Sequence, residues 1–409
     1  MTIDERGRRA AKVVQEQIAA TALPEAGGIR RWARSRARRN RGVVAMALAA
    51  MVAIAAVTLT GGGRERPIVT TPEGPFAVSE EQWSWITKAE AGLGSYSQLL
   101  TSTTVDGALL LGGLREGGLA EIWRTTDGLL WSRTVHPEAT TGAVRAVAVS
   151  GSTALAVGRG FVWRSADGGQ TWIEAAAGLD IFGAPGTNDQ PVVTGLVHNG
   201  GYWIASGGAA NGYAGIWVST DGATWREVLG DRTTGASFVT VVTQPDGSLA
   251  AYSLTTAWFT NDPTTWGPPV PLSVTDSRYL RLVSPDGMLG LGARASSGDD
   301  AYAILRRGAD GSIWTVDDQL QRQIPDIRPY AIGMLDGLWV VAGTDLDRDH
   351  REALVSSDGV TWFAIPESVR GRGVGVLTSV ATIDERVLFF DTTSPGFDRY
   401  YVLDLAGTR

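Results

Sequence analysis

Six aspartates, at positions 127, 167, 221, 262, 310 and 358, are each followed four or five residues later by a tryptophan, at 131, 172, 225, 266, 314 and 362. A carboxylate facing a reacting atom is a general acid or base, and an aromatic face can stack on a sugar, so one reading of these pairs is carbohydrate chemistry. A second acidic string, Thr344-Asp345-Leu346-Asp347-Arg348-Asp349, resembles the opening of a calcium loop. Its next position is His350 rather than Gly and its twelfth is Ser356 rather than Glu, which favours a solvated acidic loop and no metal. Cysteine is absent, which excludes disulfides and thiol catalysis, and His136, His198 and His350 are far apart in sequence. No metal and no cofactor are expected.

The neighbours of the six aspartates argue for turns instead of catalysis. The fullest copy is Ser165-Ala166-Asp167-Gly168-Gly169-Gln170-Thr171-Trp172. A short carboxylate at a strand end accepts hydrogen bonds from its own turn, and the glycines supply backbone angles that a Cβ resists. The tryptophan then opens the next strand and packs between sheets, so neither Asp nor Trp is expected at a ligand. The aspartates are spaced by 40, 54, 41, 48 and 48 residues, a period that indicates a repeat architecture. The pattern resembles the Asp-box, or BNR repeat, S-x-D-x-G-x-T-W, shared by sialidases, photosystem-assembly factors and other propellers. The resemblance implies a β-propeller and covers nearly everything after residue 75. It says little about function, since these boxes occur in glycosidases, receptors and binding modules alike.

The chain carries a net charge of −7, which hides two opposite parts. Residues 1–41 hold 11 basic and 4 acidic side chains, 42–63 hold none, and 64–409 hold 25 basic and 39 acidic. The acidic body argues against nucleic acid as a partner. Residues 42–60 form an uncharged run rich in Ala, Val, Met and Leu, long enough to cross a bilayer as a helix. The arginines before it predict a single-pass signal anchor with a basic cytoplasmic tail, 1–41, and the body outside the cytoplasmic membrane. A cleaved secretory or twin-arginine leader is the alternative. Residues 61–75, rich in Gly and Pro, read as a linker. The composition and this layout are similar to those of single-pass proteins of high-GC Gram-positive bacteria.

From residue 76 the pattern predicts an all-β, seven-bladed propeller, each blade four antiparallel strands, A to D, with the Asp-box in the C–D turn. Strand A is expected near Gln98, Val144, Val192, Phe238, Tyr279, Tyr330 and Leu377. The last blade lacks a strand D, and 76–86, containing Gln82-Trp83-Ser84-Trp85-Ile86, is expected to supply it and close the ring.

Such a fold puts the B–C and D–A loops on one face, where ligand contacts are expected on a rigid scaffold. The candidates there are Arg115, Glu116, Tyr213, Arg294, Tyr302, Arg348 and Tyr400. The resemblance to sialidases would require three arginines, a Tyr–Glu nucleophile pair and an acidic acid/base. The nearest string to the family's first arginine motif is Glu65-Arg66-Pro67-Ile68, out of order and in the linker, and Arg145, Arg281 and Arg328 lack the family's surroundings. No carboxylate pair at glycosidase spacing stands out. The sequence therefore points to a monomeric, non-catalytic module for a protein or glycan ligand. A sialidase-type exo-glycosidase and a transmembrane signalling protein are the alternatives.

Overall fold

A computed structural model describes residues 78–406 apart from a set of loop segments, the longer of which are 177–191, 232–238, 295–301, 317–326 and 392–398. Residues 1–77, with the tail, the apolar run 42–60 and the linker, lie outside the described residues. Among the described residues no helix is long and apolar enough to cross a membrane.

Strand β1 (Trp83–Thr87) follows a capped turn over Glu80–Gln82, in which Gln82 reaches back to the Ser79 amide. The N-terminal strand therefore starts at Trp83, later than 76–86 had suggested, because the box at Ser79 bends the chain first. The next four strands, β2 (Gln98–Val105), β3 (Ala108–Arg115), β4 (Leu119–Thr125) and β5 (Ser132–Arg133), form an antiparallel meander. It is repeated by β6 (Val144–Ser150), β7 (Thr153–Gly158), β8 (Phe161–Ser165) and β9 (Ile173–Ala176). The third copy is β10 (Val192–Asn199), β11 (Tyr202–Gly208), β12 (Ala214–Ser219) and β13 (Arg226–Asp231). The fourth is β14 (Thr240–Thr243), β15 (Leu249–Tyr252), β16 (Thr256–Thr260) and β17 (Val270–Pro271).

The fifth sheet differs. Its antiparallel strands β19 (Ser277–Val283), β20 (Leu289–Arg294), β21 (Tyr302–Arg307) and β22 (Ile313–Val316) gain β18 (Ser273–Val274), which runs parallel to β22. The sixth is again a meander, β23 (Ile327–Leu335), β24 (Leu338–Asp345), β25 (His350–Ser356) and β26 (Phe363–Ala364). The last combines β27 (Leu377–Ile383), β28 (Arg386–Asp391) and β29 (Arg399–Asp404) with β1, which pairs antiparallel to β29 with Trp83 opposite Leu403. The molecule is an all-β propeller. The expectation of seven like blades is corrected to six regular four-stranded blades, because the sheet at 273–316 takes a fifth strand.

The core lies between sheets, and the two-residue period of a strand explains why. In β28 and β29, Val387, Phe389, Tyr401 and Leu403 pack toward the β23–β26 sheet with Val340 and Val355. Their alternates Leu388, Phe390, Tyr400 and Val402 pack toward the β2–β5 sheet with Leu109, Leu111 and Trp123. Both faces are buried, so the inner strands read as nearly continuous apolar runs. Similar clusters join the sheets that follow, through Val147 and Trp163, Leu196 and Trp217, Val241 and Trp258, and Leu305 and Trp314.

The box turn adds a second contact between neighbours. Gly169 has φ +81°, and a Cβ there would stand 2.6 Å from Leu110 Cδ1 of the preceding sheet. Gly222 meets Leu155 and Gly128 meets Ile383 and Leu388 in the same way. Two requirements thus coincide at Gly169: a left-handed backbone and a missing side chain. Gly201, at φ +83°, has nothing within 4 Å of such a Cβ. We expect Gly169→Ala to combine αL strain with overpacking and to destabilise by about 2–4 kcal/mol, against about 1–2 kcal/mol for Gly201→Ala. Equal losses in urea unfolding of the two variants would show that the turn does not bear on Leu110.

Candidate functional site

The hairpins between first and second and between third and fourth strands lie at one end of the sheets. The turns between second and third strands, and the links from sheet to sheet, lie at the other, called here the crossover end. The Asp-boxes occupy the hairpin end and spend their polar groups on themselves. Asp167 accepts from the amides of Gln170 (3.0 Å) and Thr171 (2.9 Å) and from the hydroxyls of Ser165 (2.7 Å) and Thr171 (2.5 Å). Asp127 accepts from the amides of Leu129 and Leu130 and from Thr125 Oγ1, and Asp221 from those of Ala223 and Thr224 and from Ser219 Oγ. In the fourth box Pro263 stands where the glycine would be, and Asp262 Oδ1 accepts from the amide and hydroxyl of Thr264. Asp310 and Asp358 lie outside the described residues.

The box tryptophans are packing residues. Trp131, Trp172, Trp314 and Trp362 are buried, and Trp225 and Trp266 pack partly buried against the core clusters. Trp172 and Trp225 donate their indole N–H to the carbonyls of Gly169 and Gly222, each at 3.1 Å, which folds the ring back over its own turn. Trp131 instead donates to Tyr400 Oη at 3.3 Å, and Tyr400 in turn donates toward the carbonyls of Gly128 and Leu129. Tyr400 is the ligand-face candidate that the structure corrects. It is fully buried, its phenol is pushed up to about 12 by burial, and it clamps the first box to the last sheet. The alternation along β29 turns it inward, which loop position alone did not reveal.

At the crossover end, six of the first strands carry a bulge at the same place, with Leu100, Arg145, Thr194, Arg278, Tyr330 and Thr378 as the extra residues. A bulge twists the strand and re-aims its side chains, which is why bulges gather at rims and sites. The partner strand must come close. A Cβ on Gly158 would lie 2.5 Å from Ala143 O, so a glycine is required opposite the bulge of β6. Arg145 stands in that bulge, and Arg159 follows Gly158 directly. Burial and the charge of Arg159 both press the Arg145 guanidinium below its ordinary range. Arg159 Nε is itself buried with no hydrogen-bond partner among the described residues. Two like charges thus share one corner of an acidic body.

Two further polar groups lie near this end. Glu121 is fully buried, with Arg133 Nη2 at 2.6 Å, Arg115 Nε at 3.2 Å and His136 Nε2 at 2.6 Å. At the closing seam, Lys88 Nζ donates to the carbonyls of Ser97 (3.0 Å) and Asp391 (2.8 Å), and Arg351 Nε lies 3.0 Å from Asp391 Oδ2. Burial raises the Tyr401 phenol there, despite Arg351 and Arg399 nearby. Lys88, Arg351, Asp391 and Tyr401 are all buried, so the seam braces the ring where its two chain ends meet.

Of the other sequence candidates, Arg115 pairs with Glu121 and Glu116 is exposed on the turn after β3. Arg294 and Tyr302 end and begin the facing strands β20 and β21, while Tyr213 and Arg348 lie outside the described residues. Sequence reasoning passed over Arg159, Glu121, His136, Lys88 and Asp391 as site residues. The available signal was a lone charge inside an apolar strand, as in Leu119-Ala120-Glu121-Ile122-Trp123.

No family model matches the sequence, and no curated protein matches it. Solved structures share the fold. YCF48 bound to D1 peptide has a TM-score of 0.57 at 16% identity, covering 80% of this chain and 98% of that one. Virginiamycin B lyase from Staphylococcus aureus has a TM-score of 0.52 at 12% identity, covering 79% and 99%. The extracellular domain of the putative hybrid two component system BT4673 from B. thetaiotaomicron has a TM-score of 0.50 at 12% identity, covering 78% of this chain and 42% of that one. At these identities the likeness extends to the propeller architecture alone.

The box carboxylates set an acid limit to stability. Burial works against the charged form of Asp167, and the hydrogen bonds from Thr171, Ser165 and Gln170 outweigh it, bringing the group from 3.8 to about 2. A depressed pKa contributes stability above the unfolded value of 3.8, and this is lost as pH falls through about 2. We expect Asp167→Asn to cost about 1–2 kcal/mol near neutral pH. The gap to the parent should close as pH falls from 3.8 toward 2 in denaturant titrations, and a gap independent of pH would remove the carboxylate's charge from the account.

Proposed function

We propose that this chain is a non-catalytic propeller that binds a protein or peptide ligand at its crossover end, with Arg145 and Arg159 receiving an acidic group. The observation that carries the reading is the bulge at Arg145. It holds one guanidinium beside a second whose Nε is buried without a partner among the described residues. Like charges held together in a partly dry corner repel, and a carboxylate reaching Arg159 Nε would offset that repulsion. The surrounding body is acidic, so the pair is a local exception that a ligand's negative group can find. Asp127, Asp167 and Asp221, which might have suggested hydrolysis, are occupied by their own turns. A similar fold, YCF48, is described with a bound peptide, which supports a protein ligand over a sugar.

The wider arrangement belongs to the same proposal. The five-stranded sheet packs through Leu305 and Trp314 against Val242 and Tyr252 of the β14–β17 sheet on one side and lies against β23 on the other. Residues 42–60 anchor the chain in the cytoplasmic membrane, with 1–41 inside and the propeller outside.

Two experiments test these points. Peptide display against the full chain should enrich Asp- and Glu-rich sequences, and the double variant Arg145→Gln/Arg159→Gln should bind them about tenfold or more weakly with unfolding unchanged. Enrichment without charge bias, or full binding by the variant, would sink the reading. Because the chain has no cysteine, single substitutions report topology cleanly. A membrane-impermeant maleimide on intact cells should label Thr71→Cys and spare Ser35→Cys, and labelling of both or of neither would refute the anchor.

A further inference from the structure

A second pair of arginines stands on the sheet before the Arg145–Arg159 corner, and Glu121 gathers it. Arg133 Nε and Nη2 lie 2.7 and 2.6 Å from Glu121 Oε2, and Arg115 Nε lies 3.2 Å from the same oxygen. The other oxygen, Oε1, has His136 Nε2 at 2.6 Å. One carboxylate therefore faces two guanidiniums, and at least one positive charge stays unmatched. Glu121 is fully buried, while the side chains of Arg115 and Arg133 are 39% and 56% exposed. Arg115 Nη1 and Nη2 and Arg133 Nη1 bond to nothing among the described residues, which leaves them for an outside acceptor.

The two pairs are joined by a floor of glycines at the crossover end. Arg115 closes β3, and the turn after it brings Gly118 N to Arg115 O at 3.1 Å. Gly142 N donates to Gly118 O at 3.0 Å and Ala120 N to Thr140 O at 2.9 Å, so the link into β6 runs antiparallel along the start of β4. A Cβ on Gly142 would lie 4.0 Å from Arg159 Cβ, with nothing nearer. Gly117 and Gly118, at φ +84° and +74°, have nothing within 4 Å of such a Cβ. Between Arg159 and Arg115 these three positions carry no side chain, and another backbone can come close. Opposed residues of a ladder lie about 5 Å apart and the ends of a turn within about 7 Å, so the two arginines are rooted within about 18 Å of each other. An extended peptide covers that distance in about five residues. Glu116 is exposed on the same turn and sets a negative charge beside this floor.

We propose that the ligand is an acidic peptide with two carboxylates no more than about five positions apart, laid across the glycine floor, one received at Arg145–Arg159 and the other at Arg115–Arg133. The inner contact rests on the function proposed above; the outer anchor and the separation of the acids go beyond it. Two basic pairs a short peptide apart hold a two-acid ligand better than a single acid, because the second contact forms at high effective concentration. Glu116 disfavours a third acid between the two, so an uncharged middle is selected over an unbroken acidic run. Glu121 is the positioning residue of the outer pair: it draws both guanidiniums to one oxygen and, being fully buried, does not meet the ligand.

The test follows the fluorescence anisotropy of labelled Gly/Ser peptides with the full chain at about 50 mM salt. One peptide carries a single Glu, and the others carry two, placed from about two to about nine positions apart. Two Glu residues within about five positions should bind about fivefold or more tightly than one, and about 0.5 M salt should erase the gain. Arg115→Gln, which leaves Arg133 and His136 on Glu121, should remove the gain with its unfolding midpoint unchanged. A peptide with Lys in place of the second Glu should bind the parent chain more weakly than the single-Glu peptide, which keeps the test decisive where the variant fails to fold. A gain that survives Arg115→Gln, or that appears only beyond about five positions, would overturn the outer anchor. No gain, with Arg145→Gln/Arg159→Gln weakening one-Glu and two-Glu peptides alike, would overturn the outer anchor and leave the corner standing. No binding of any peptide would overturn the ligand reading and this inference with it. Tighter binding of a heparin hexasaccharide than of every peptide would overturn the peptide as the partner.

Discussion

Three of the box turns rest a glycine on an aliphatic side chain of the sheet before it: Gly169 on Leu110, Gly222 on Leu155, Gly128 on Ile383 and Leu388. Because the contact always points from one sheet back to its predecessor, it sets the offset between neighbours, and the sheets must follow one another around an axis. The carboxylates make the contact repeatable. By accepting two amides of the turn, Asp127, Asp167 and Asp221 each hold the glycine at one angle. Where the glycine is replaced by Pro263, Asp262 Oδ1 accepts from a single turn amide, that of Thr264, among the hydrogen bonds described, and Trp266 Nε1 is left without a partner among the described residues.

A sheet buried on both faces has no side to offer a ligand, so contact must come at the strand ends. One end is filled by the boxes and their self-satisfied polar groups. The other is shaped by the bulges in the first strands, which lift side chains out of the alternation that buries the rest. Charge placed there is held under strain or matched at depth. Arg145 stands beside Arg159, while Glu121 and Asp391 are matched by basic partners within about hydrogen-bond range. The seam through Lys88 and Tyr400 ties strands from the two ends of the chain, so the closing sheet is braced at both its ends.

Much of this was legible in the one-dimensional pattern. Asp, Gly and Trp at fixed offsets announce a turn wherever they occur, because the hydrogen bonds run between residues two to four positions apart. The first strands were found for the same reason, and the need of β29 for a fourth partner was visible from the missing strand. Tyr400 shows where this stops. Its place at the start of a strand was readable, but the direction of its side chain depends on which neighbour sheet lies on that side. The fifth strand at Ser273–Val274 has too little sequence to give a period, and its parallel pairing with β22 is decided by distance in space alone.

The candidate site was the least legible part. Arg145 was noticed as a charge in a first strand, yet Arg159 is fourteen positions on in a turn, and only the bulge opposite Gly158 sets the two side by side. His136 and Glu121 are fifteen residues apart with nothing in their spacing to couple them. Local chemistry, carried by hydrogen bonds within a few residues, is what the sequence by itself determined: the turns at Asp127, Asp167 and Asp221 and the strands between them. The pairing of charges across sheets was decided by the tertiary structure, because electrostatics and burial act through space, along which chain order carries no distance.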